Sequence, residues 1–429
     1  MTNYSVVTLN QCLEKLESGG RPKGGASLDK NGILSIGAEH LGDDGEIKLE
    51  NPKFIPLTYF ENMRQGIVQD EDILIVKDGA TTGKVVYISS NSLPNKTAVN
   101  EHVFLLRTNK KLLLPKFAFY LMYSPTGKQK ILADFRGAAQ GGISRSFVNN
   151  FTFPLPPLSE QRRIVEILDQ ADEIRKLRKQ ADEKAEKIIP ALFYKMFGDP
   201  IELMKGDNSI ALSEFNIEFQ NGFACGEKDI VDGTPHLRMN NIDDLGILNL
   251  DLVRTVPNSF DKERYRLNNG DVLFMSTNSD DKIGKSCVFN IEEDRHFLFS
   301  NHLIRLRIFD DRISPEYLST YLHLLWAKRF YPSIAKRWVN QSTISLQNLK
   351  NIKVFVPFKE KLNKLTDAIK NLNDNRKFRN NSLSVINSLF NNLLSKAFDG
   401  SLTASWREAH MKELLKEMEE QKKYLEQVK

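Results

Sequence analysis

Residues 153–198 read FPLPPLSEQRRIVEILDQADEIRKLRKQADEKAEKIIPALFYKMFG, a proline-rich segment followed by a long charged stretch with a thin apolar stripe. Ser159 suits an N-cap position, and Glu160 places negative charge in the first turn, where it favours the helix dipole. Gly198 favours a helix end, and Pro190 predicts a kink in the last two turns. The stretch therefore predicts one long helix between Ser159 and Gly198.

Apolar residues in this helix are spaced by three and four, which is typical of a narrow coiled-coil seam. A second stretch, residues 358–400, repeats the pattern. The predicted seam residues are Ile164, Ile167, Ala171, Ile174, Ala181, Ile188, Leu365, Ala368, Leu372, Ile386, Leu389 and Leu393. Both helices carry an arginine at the same position, Arg178 and Arg379. An antiparallel pair would bring the two arginines together, and the alternative is that both extend into solvent.

Much of the remaining chain also occurs twice, about 201 residues apart. The repeated positions include Arg136/Arg337, Gln140/Gln341, Ile143/Ile344, Ser144/Ser345 and Pro156/Pro357, and, 200 residues apart, His102/His302 and Arg107/Arg307. A repeat of this length is a whole domain plus a connector, far longer than a solenoid unit. The sequence therefore predicts a pseudo-dimer in one polypeptide, suited to a partner with two related halves.

Each repeat begins with short apolar runs that are broken by glycine and asparagine turns, which is typical of strands. The predicted fold class is α+β, with two pseudo-symmetric α+β domains separated by two long helices that form an antiparallel coiled coil. The predicted segments are a first domain at 1–157, a first helical spacer at 158–207, a second domain at 208–357, a second spacer at 358–400 and an amphipathic helical tail at 401–429. The tail either packs against the N-terminal region or docks a partner, and both alternatives stay open.

The distribution of charge says more than the net charge of +5. No Asp or Glu lies between Tyr317 and Lys359, and Asp134 is the only acid between His102 and Ser159. Clustered cations without acids are typical of a polyanion site, and the alternative is two basic faces that simply meet solvent. No apolar run is long enough for a membrane span, no signal peptide is evident, and three cysteines lack metal spacing. These features predict a cytoplasmic protein with reduced thiols and no membrane partner.

Several strings resemble enzyme motifs but are incomplete. The segment Gly79–Lys84 is one residue short of a phosphate loop, and Asn51–Phe54 lacks the second proline of an adenine methyltransferase site. Asp72 and Lys77 lack the second carboxylate of a nuclease site, and the seven histidines form no pair at ligand spacing. The sequence predicts no catalytic site, no bound cofactor and no metal site in this chain.

Residues 153–165, FPLPPLSEQRRIV, resemble the central conserved region of type I restriction-modification specificity subunits. The glycine-rich turn before Ile143 and Ser144 resembles the same family, as does the ending KMFGD at residues 195–199. The second copy departs from the pattern, because VPFKE at 356–360 replaces the proline-rich start. The stretch AFDGSLT at 397–403 again resembles the C-terminal pattern of the family.

The resemblance implies a non-catalytic subunit whose two target recognition domains bind the two halves of a split, asymmetric site in double-stranded DNA. It implies helices that act as a spacer and dock two modification subunits, which methylate adenine with S-adenosylmethionine. Restriction subunits that use ATP and Mg would join the assembly. Two alternatives stay open: a two-domain protein-binding scaffold, and an RNA-binding protein. The salt dependence of duplex binding discriminates among them.

Two domains that read different half-sites cannot discriminate bases with identical residues. Positions shared by the copies are therefore expected to make the fold or contact phosphate, and base readers are expected where the copies differ. The candidate DNA contacts are Lys128, Lys130, Arg136, Gln140, Ser144 and Arg145 in the first domain, and Lys328, Arg329, Lys336, Arg337, Trp338, Gln341 and Ser345 in the second. The predicted first helix would be about 58 Å long. That equals about 17 base pairs at ~3.4 Å each, which is an upper limit on the separation of the two domains.

Overall fold

The computed structural model describes residues 4–137, 141–339 and 341–427. Two compact units are present: unit 1 comprises Met1–Leu177 and Leu383–Lys429, and unit 2 comprises Arg178–Ser382. Unit 2 is continuous in sequence and is inserted between the two segments of unit 1. The five-segment division predicted from the sequence follows the order of elements and stays a prediction. Within the described ranges, no helix is long and apolar enough to cross a membrane.

The described part of the first segment of unit 1 contains nine strands. They are β1 (Val6–Thr8), β2 (Leu13–Ser18), β3 (Ile33–Ile36), β4 (Lys53–Ile55), β5 (Ile73–Val76), β6 (Val85–Tyr87), β7 (Thr97–Val99), β8 (Val103–Thr108) and β9 (Thr152–Pro154). The orders are β2-β8-β5-β6, β4-β3-β7 and β1-β9, and all pairs are antiparallel except β3 with β7. Because side chains alternate along β5, Ile73 and Ile75 enter one core while Leu74 and Val76 enter another.

Five α-helices begin in the described part of the same segment. They are α1 (Leu57–Glu61), α2 (Pro115–Tyr123), α3 (Pro125–Leu132), α4 (Phe147–Asn150) and α5 (Leu158–Glu186). Gln161 ties the start of α5 to the sheet domain: its amide donates to the carbonyl of Leu112 at 2.8 Å and accepts from the N–H of Leu114 at 2.8 Å. The side chain of Gln161 is buried, so these bonds fix the direction in which α5 leaves the domain.

Unit 2 repeats the same plan. Its elements are α6 (Ile188–Phe197), α7 (Pro200–Leu203), β10 (Ser209–Ala211), β11 (Ile217–Asn221), β12 (Thr234–Leu237), β13 (Arg254–Val256), β14 (Val272–Met275), β15 (Thr277–Asn278), β16 (Ser286–Val288), β17 (Leu298–Phe299), β18 (Leu303–Ile308), α8 (Pro315–Ala327), β19 (Lys336–Arg337), β20 (Ser342–Thr343), α9 (Leu346–Lys350), β21 (Lys353–Phe355) and the first part of α10 (Lys359–Asp399), whose residues from Leu383 onward belong to unit 1. The sheet orders β11-β18-β14-β16, β13-β12-β17 and β10-β21 match those of unit 1, and β15-β20-β19 forms a further sheet. The predicted mixed helix-and-sheet fold, written twice, is confirmed.

The first long helix is interrupted at Lys187, between α5 and α6. Pro190 has no N–H to donate to the carbonyl of Glu186, and its ring would clash with that carbonyl in a continuous helix. The predicted kink is therefore a break. The uninterrupted helix α5 has 29 residues and is about 43 Å long, shorter than the predicted 58 Å.

The two mid-helix arginines approach each other within unit 2. The Nε of Arg178 donates to Oδ2 of Asp182 at 3.0 Å, and NH1 of Arg379 lies 3.8 Å from Oδ1 of the same carboxylate. One turn further along α5, Glu186 accepts from Arg376 at 3.3 Å. Residue numbers of the contacting pairs thus increase along α5 while they decrease along α10, so these parts of the two helices run antiparallel, as predicted. Asp182 joins the arginines, and the sequence pattern gave no sign of this shared carboxylate.

The predicted seam is correct only in part. Ile164 and Leu365 are buried, and intermediate burial is found for Ile167, Ala171, Ala368, Leu372, Ile386 and Leu393. The prediction is wrong for Ile174, Ala181, Ile188 and Leu389, which are exposed. Leu168, Asp172, Phe390 and Leu394 are buried instead. Ion pairs such as Asp172 with Arg175, at 2.5 Å, occupy the inner face in mid-helix and leave apolar residues outside.

The C-terminal tail forms α11 (Ala404–Ala409) and α12 (Met411–Gln427) and packs within unit 1. Leu414 and Leu425 are buried, and Glu417 accepts from the N–H of Ser159 at 3.1 Å. Ser159 lies in the first turn of α5, not at the predicted N-cap, and its own hydroxyl is buried without a partner among the described residues. Of the two alternatives left open by the sequence, packing against the N-terminal region is therefore observed.

Candidate nucleic-acid interface

In unit 1, three separate segments are joined by backbone hydrogen bonds at one end of the large sheet. The N–H of Ile143 donates to the carbonyl of Lys77 at 2.7 Å, and the N–H of Lys77 donates to the carbonyl of His102 at 3.0 Å. Bridges of Gly142 with Asp78 and with Arg136 close a short hairpin. Residues 77–83, 100–102 and the described parts of 136–142 together form edge 1.

Edge 1 carries both cations and acids. The guanidinium of Arg136 is 82% exposed and lies 3.8 Å from Asp134. Asp78 lies 2.5 Å from Nδ1 of His102, and Glu101 pairs with Arg21 at 2.7 Å. One oxygen of Glu101, Oε2, is buried without a hydrogen-bond partner in the described part of the chain. Arg136 thus keeps an exposed guanidinium, whereas Asp78 and Glu101 are engaged with His102 and Arg21.

Ser144 makes the fold instead of presenting its hydroxyl to a ligand. Its N–H and its hydroxyl donate to Oδ2 of the buried Asp134 at 3.0 and 2.6 Å, and Ser146 adds a longer bond. These hydrogen bonds from Ser144, followed by weaker effects that include the charge of Arg136, hold the pKa of Asp134 below its ordinary value. The acid that remains within this basic stretch therefore anchors the base of the hairpin.

The other candidates of the first domain differ in accessibility. Lys128 on α3 and Arg145 before α4 are exposed. Lys130 donates to the carbonyl of Thr152 at 2.5 Å and lies 5.7 Å from the ring centre of Phe151. Gln140 lies outside the described residues. Lys128 and Arg145 are thus exposed and stay predicted DNA contacts, whereas Lys130 already has structural partners.

Unit 2 rebuilds the same scaffold. The N–H of Ile344 donates to the carbonyl of Ser276 at 2.8 Å, and the N–H of Ser276 donates to the carbonyl of His302 at 2.9 Å. Strands β19 and β20 form the equivalent hairpin, and β15 pairs with β20. Residues 276–284, 300–302 and the described parts of 336–343 together form edge 2.

The hairpin of edge 2 presents an aromatic ring among cations. Trp338 is 57% exposed and Val339 is 99% exposed. The ammonium of Lys336 lies 4.6 Å from the ring centre of Trp338, a cation–π contact. Arg337 pairs with Asp280 at 3.2 Å but stays 67% exposed. Gln341 is exposed, and its carbonyl accepts from the N–H of Trp338 at 2.8 Å.

The remaining candidates of the second domain have structural partners. Lys328 pairs with Asp199 at 2.6 Å, and Asp199 in turn caps α7. Arg329 has a positive φ of 58° and donates to the carbonyl of Asp281 at 3.1 Å. Ser345 caps α9 by accepting from the N–H of Asn348 at 3.0 Å. Ser144 and Ser345 therefore occupy repeated positions with different roles.

The incomplete enzyme motifs have structural partners. Asp72 is buried and accepts two bonds of 2.8 Å from Arg107, and the repeated pair Asp271 and Arg307 is bonded in the same way. Lys84, at the end of the loop that resembles a phosphate site, pairs with Asp43 at 3.0 Å. No cluster of His, Cys, Asp or Glu suited to a metal is found in the ranges that the structure describes.

Sequence reasoning missed several groups on the two edges. Arg21, Glu101 and the pair Asp78 with His102 lie on or beside edge 1, and Arg238 lies beside edge 2. They belong to loops and strand ends far apart in the chain, so no local spacing marks them. One signal was present: where the copies align, Arg238 stands opposite Gly37.

The chain is similar to proteins of type I restriction-modification systems that are described by their DNA specificity. Residues 1–187 match the family model described as "Type I restriction modification DNA specificity domain". The chain is 23% identical over 384 residues to the type I restriction enzyme EcoKI specificity subunit of Escherichia coli strain K12, covering 85% of this chain and 81% of that protein. It is 23% identical over 381 residues to the StySPI specificity subunit of Salmonella potsdam, with the same shares covered.

Two solved structures have a similar fold. A chain from a structure described as showing complex assembly and conformational transition of the type I R-M system has a TM-score of 0.56 at 17% identity, covering 93% of this chain and 98% of that chain. The S subunit of a type I restriction-modification system from M. genitalium has a TM-score of 0.54 at 16% identity, covering 92% and 96%. At these identities the likeness concerns the fold alone.

Proposed function

We propose that this chain, which is similar over 85% of its length to the EcoKI specificity subunit, is the sequence-specific DNA-binding subunit of a type I restriction-modification system. Its two domains would each bind one half of a bipartite, asymmetric site in double-stranded DNA. Its long helices would dock methyltransferase subunits, and restriction subunits would join the same assembly.

The observation that carries this proposal is that both domains have the same backbone scaffold but present different side chains on it. Edges 1 and 2 share the same chain of backbone hydrogen bonds, through Lys77 in one copy and Ser276 in the other. The groups displayed on that scaffold differ: a hairpin based on Arg136 beside acids in edge 1, and Trp338 with flanking cations in edge 2. Equal scaffolds with unequal groups suit two related but different half-sites.

The outer faces of the long helices support the docking role. In unit 1, Ile174, Leu177 and Leu389 are exposed, and in unit 2 Ile188 and Phe378 are exposed. Apolar side chains at such spacing on a charged helix are typical of a surface that is covered by another helix. The proposed occupants are helices of the methyltransferase subunits.

The chemistry is proposed to lie in the partners. S-adenosylmethionine would be bound by the methyltransferase subunits, and ATP with Mg by the restriction subunits, while this chain binds no cofactor. The proposed place of action is the cytoplasm. The support is that each string resembling a catalytic motif is incomplete and, in the case of Asp72 and Lys84, engaged in structural ion pairs.

Salt dependence tests the DNA-binding proposal directly. The purified chain, with its methyltransferase partner, should bind duplex with an affinity that falls steeply with added salt and retains a sequence preference. Adenine methylation should require the partner subunit. A complex that duplex DNA does not compete would indicate a protein scaffold, and methyl transfer by this chain alone would make it an enzyme.

Exchange of one domain tests the assignment of half-sites. Replacing residues 1–157 with the equivalent domain of a relative should change one half of the methylated sequence and leave the other unchanged. Mapping of methylated adenines in the host genome gives the result. A simultaneous change in both halves would show that the domains read the site jointly.

A further inference from the structure

Beside edge 2, three polar side-chain atoms are buried without hydrogen-bond partners among the described residues. They are Nε2 of His236, Oγ of Ser300 and Nδ1 of His302. The side chains of His236 and Ser300 are only 3% and 1% exposed. A buried polar atom without a partner costs free energy, so its persistence at one place calls for an explanation such as a ligand.

Arg238 connects these atoms to the hairpin. Strand β12 ends at Leu237, whose carbonyl accepts from the N–H of Ser300 at 2.9 Å, so Arg238 comes next along this strand end. His302 follows two residues after Ser300, and its carbonyl binds the backbone of Ser276, which holds Ile344 at the end of the hairpin. The guanidinium therefore originates on the same scaffold as Trp338.

The backbone of Arg238 is fixed while its charge is uncompensated. Its N–H donates to Oδ1 of Asn241 at 2.8 Å, and its side chain is half-buried. Among the described residues, no carboxylate forms an ion pair with its guanidinium. Burial, followed by the charge of Arg238, lowers the pKa of His236 to about 4 and lowers that of His302. A half-buried cation without a carboxylate partner among the described residues is suited to an acceptor from outside the chain.

The first copy has different groups at the same place. Gly37 replaces Arg238, and a Cβ there would lie 2.3 Å from Oε2 of Glu39 and 2.7 Å from Nδ2 of Asn100. Glu101 instead presents an unpartnered carboxylate oxygen on edge 1. Edge 1 thus has an unpartnered carboxylate oxygen at Glu101, and the second domain has a fork of donors at Arg238, a different position of the repeat. Groups that differ between the domains in this way suit discrimination between different bases.

We propose that Arg238 reads a guanine, through O6 and N7 in the major groove, in the half-site bound by the second domain. This assignment rests on the proposed function. A guanidinium is a rigid donor fork that fits these two acceptors. Arg136 and Arg337 differ from it, because they project at 82% and 67% exposure from hairpins and suit phosphates, which carry no sequence information.

The test uses the complete complex with its methyltransferase subunit. Its methylated site is first mapped, and the half read by the second domain is identified by the exchange of residues 1–157. Each guanine in that half is then replaced by 7-deazaguanine, which lacks the N7 acceptor. One replacement should weaken binding by the unmodified chain about tenfold. In Arg238→Gln the same replacement should have no further effect on binding. Sites with any of the four base pairs at that position should then be methylated by this variant.

Two further variants exclude misfolding and loss of charge as explanations. Arg238→Lys keeps the charge but not the fork, so it should lose discrimination while keeping the salt slope. Arg295→Gln, at an exposed arginine outside the edges, should behave as the unmodified chain. Uniform weakening across sequences with a reduced salt slope in Arg238→Gln would make the residue a phosphate contact and overturn the proposal. An unchanged preference, or a half-site without guanine, would also overturn it. Salt-insensitive binding by the unmodified chain would instead refute the proposed function.

Discussion

At the scale of single residues, a buried carboxylate joins three distant parts of unit 1. Glu160, 1% exposed, accepts from Nε and NH2 of Arg407 at 2.9 and 2.6 Å and from the hydroxyl of Thr403 at 2.6 Å. The hydroxyl of Tyr4 also donates to it. Burial and the neighbouring Glu160 raise the pKa of Tyr4. The start of α5 is thereby attached to both the N-terminal segment and the tail.

Glu160→Gln should destabilise unit 1 strongly, because it leaves the nearly buried guanidinium of Arg407 without its counter-charge. Loss of one partner of a buried ion pair costs about 3–5 kcal/mol. Urea unfolding gives the free energy, and limited proteolysis should show earlier cleavage in residues 403–427. Glu166→Gln, whose exposed pair with Arg163 lies on the same helix, is the matched control. Equal stabilities of the two variants would contradict the role assigned to Glu160.

The stability of the chain should depend on pH in a window set by two histidines. Burial lowers the pKa of His236 and of His323 from 6.5 to about 4. The unfolded chain then binds protons before the folded chain does. The free energy of unfolding should therefore be constant above about pH 6.5 and fall between 6.5 and 4, by up to about 3 kcal/mol per histidine.

Urea unfolding at pH 7, 6, 5 and 4.5 measures this dependence. His236→Gln with His323→Gln should reduce the slope in that window, at the cost of some stability at pH 7, while His302, whose pKa is also lowered by burial, keeps its contribution. Carboxylates whose pKa is lowered, such as Asp310 beside Arg312, act only at more acidic pH and do not obscure the result. A curve of unchanged slope in the double variant would rule out these histidines as its source.

Single residues also mark the limit of the sequence prediction. Arg136 and Arg337 were selected from the repeat, and both lie exposed on equivalent hairpins. Ser144 and Ser345 were selected for the same reason but satisfy the backbone or a buried acid. A repeat identifies positions that matter to both copies, and it cannot separate hydrogen bonds inside the fold from contacts to a ligand.

At the scale of elements, the two hairpins are matched parts with testable roles. Arg136→Gln and Arg337→Gln should each weaken duplex binding for all sequences and reduce the slope of log affinity against log salt by about one. Titration at several salt concentrations, with specific and unrelated duplexes, gives both values. Arg163→Gln on α5 should leave the slope unchanged. A change in the preferred sequence would instead make either arginine a base reader.

The long helices show why the seam was only partly predictable. An apolar stripe predicts the buried face of a helix correctly when the residues on that face are apolar, and this holds at Ile164 and Leu365. In mid-helix the inner face is formed by Asp172, Arg175 and the arginines around Asp182. Because charged residues usually face solvent, the pattern assigned the inward face to Ile174 and its neighbours instead. The charged face is buried because its residues pair with one another in the folded structure, and the sequence pattern does not reveal that pairing.

At the scale of the whole molecule, the unit boundaries suggest where the spacer can be lengthened. They fall after Leu177 in α5 and after Ser382 in α10. Four residues inserted at both places should add about 6 Å of helix and leave every contact inside each unit intact. The unread gap in the DNA site should then grow by one or two base pairs, with both half-sites unchanged.

Mapping of methylated adenines measures the new gap. Four residues inserted only after Leu177 provide the control, because the two helical connections between the units would then differ in length and stability should fall. Two residues inserted at both places rotate the following turns by about 200° and should disrupt packing. A functional four-residue variant with an unaltered gap would show that the helices do not set the spacing.

The architecture as a whole was more predictable than its sites. Two copies of a strand-rich domain, each followed by a long helix, are visible because apolar runs such as residues 72–76 and 271–275 recur at nearly the same distance as the other repeated positions. Arg238 was not predictable, because a single residue at a strand end gives no periodic signal. Its surroundings come from β12, β17 and the turn before β18, which only the folded sheet brings together.

The insertion of unit 2 within unit 1 has a consequence for synthesis on the ribosome. Residues 178–382 emerge before residues 383–427, so the nested unit has all its parts while the first still lacks Phe390, Arg407 and Glu417. Until those residues appear, Glu160 has no counter-charge, and the first turn of α5 lacks the carboxylate that receives its N–H. The N-terminal domain is therefore expected to be translated first but to complete its fold last. Until residues 383–427 are synthesised, the first turn of α5 stays exposed to chaperones.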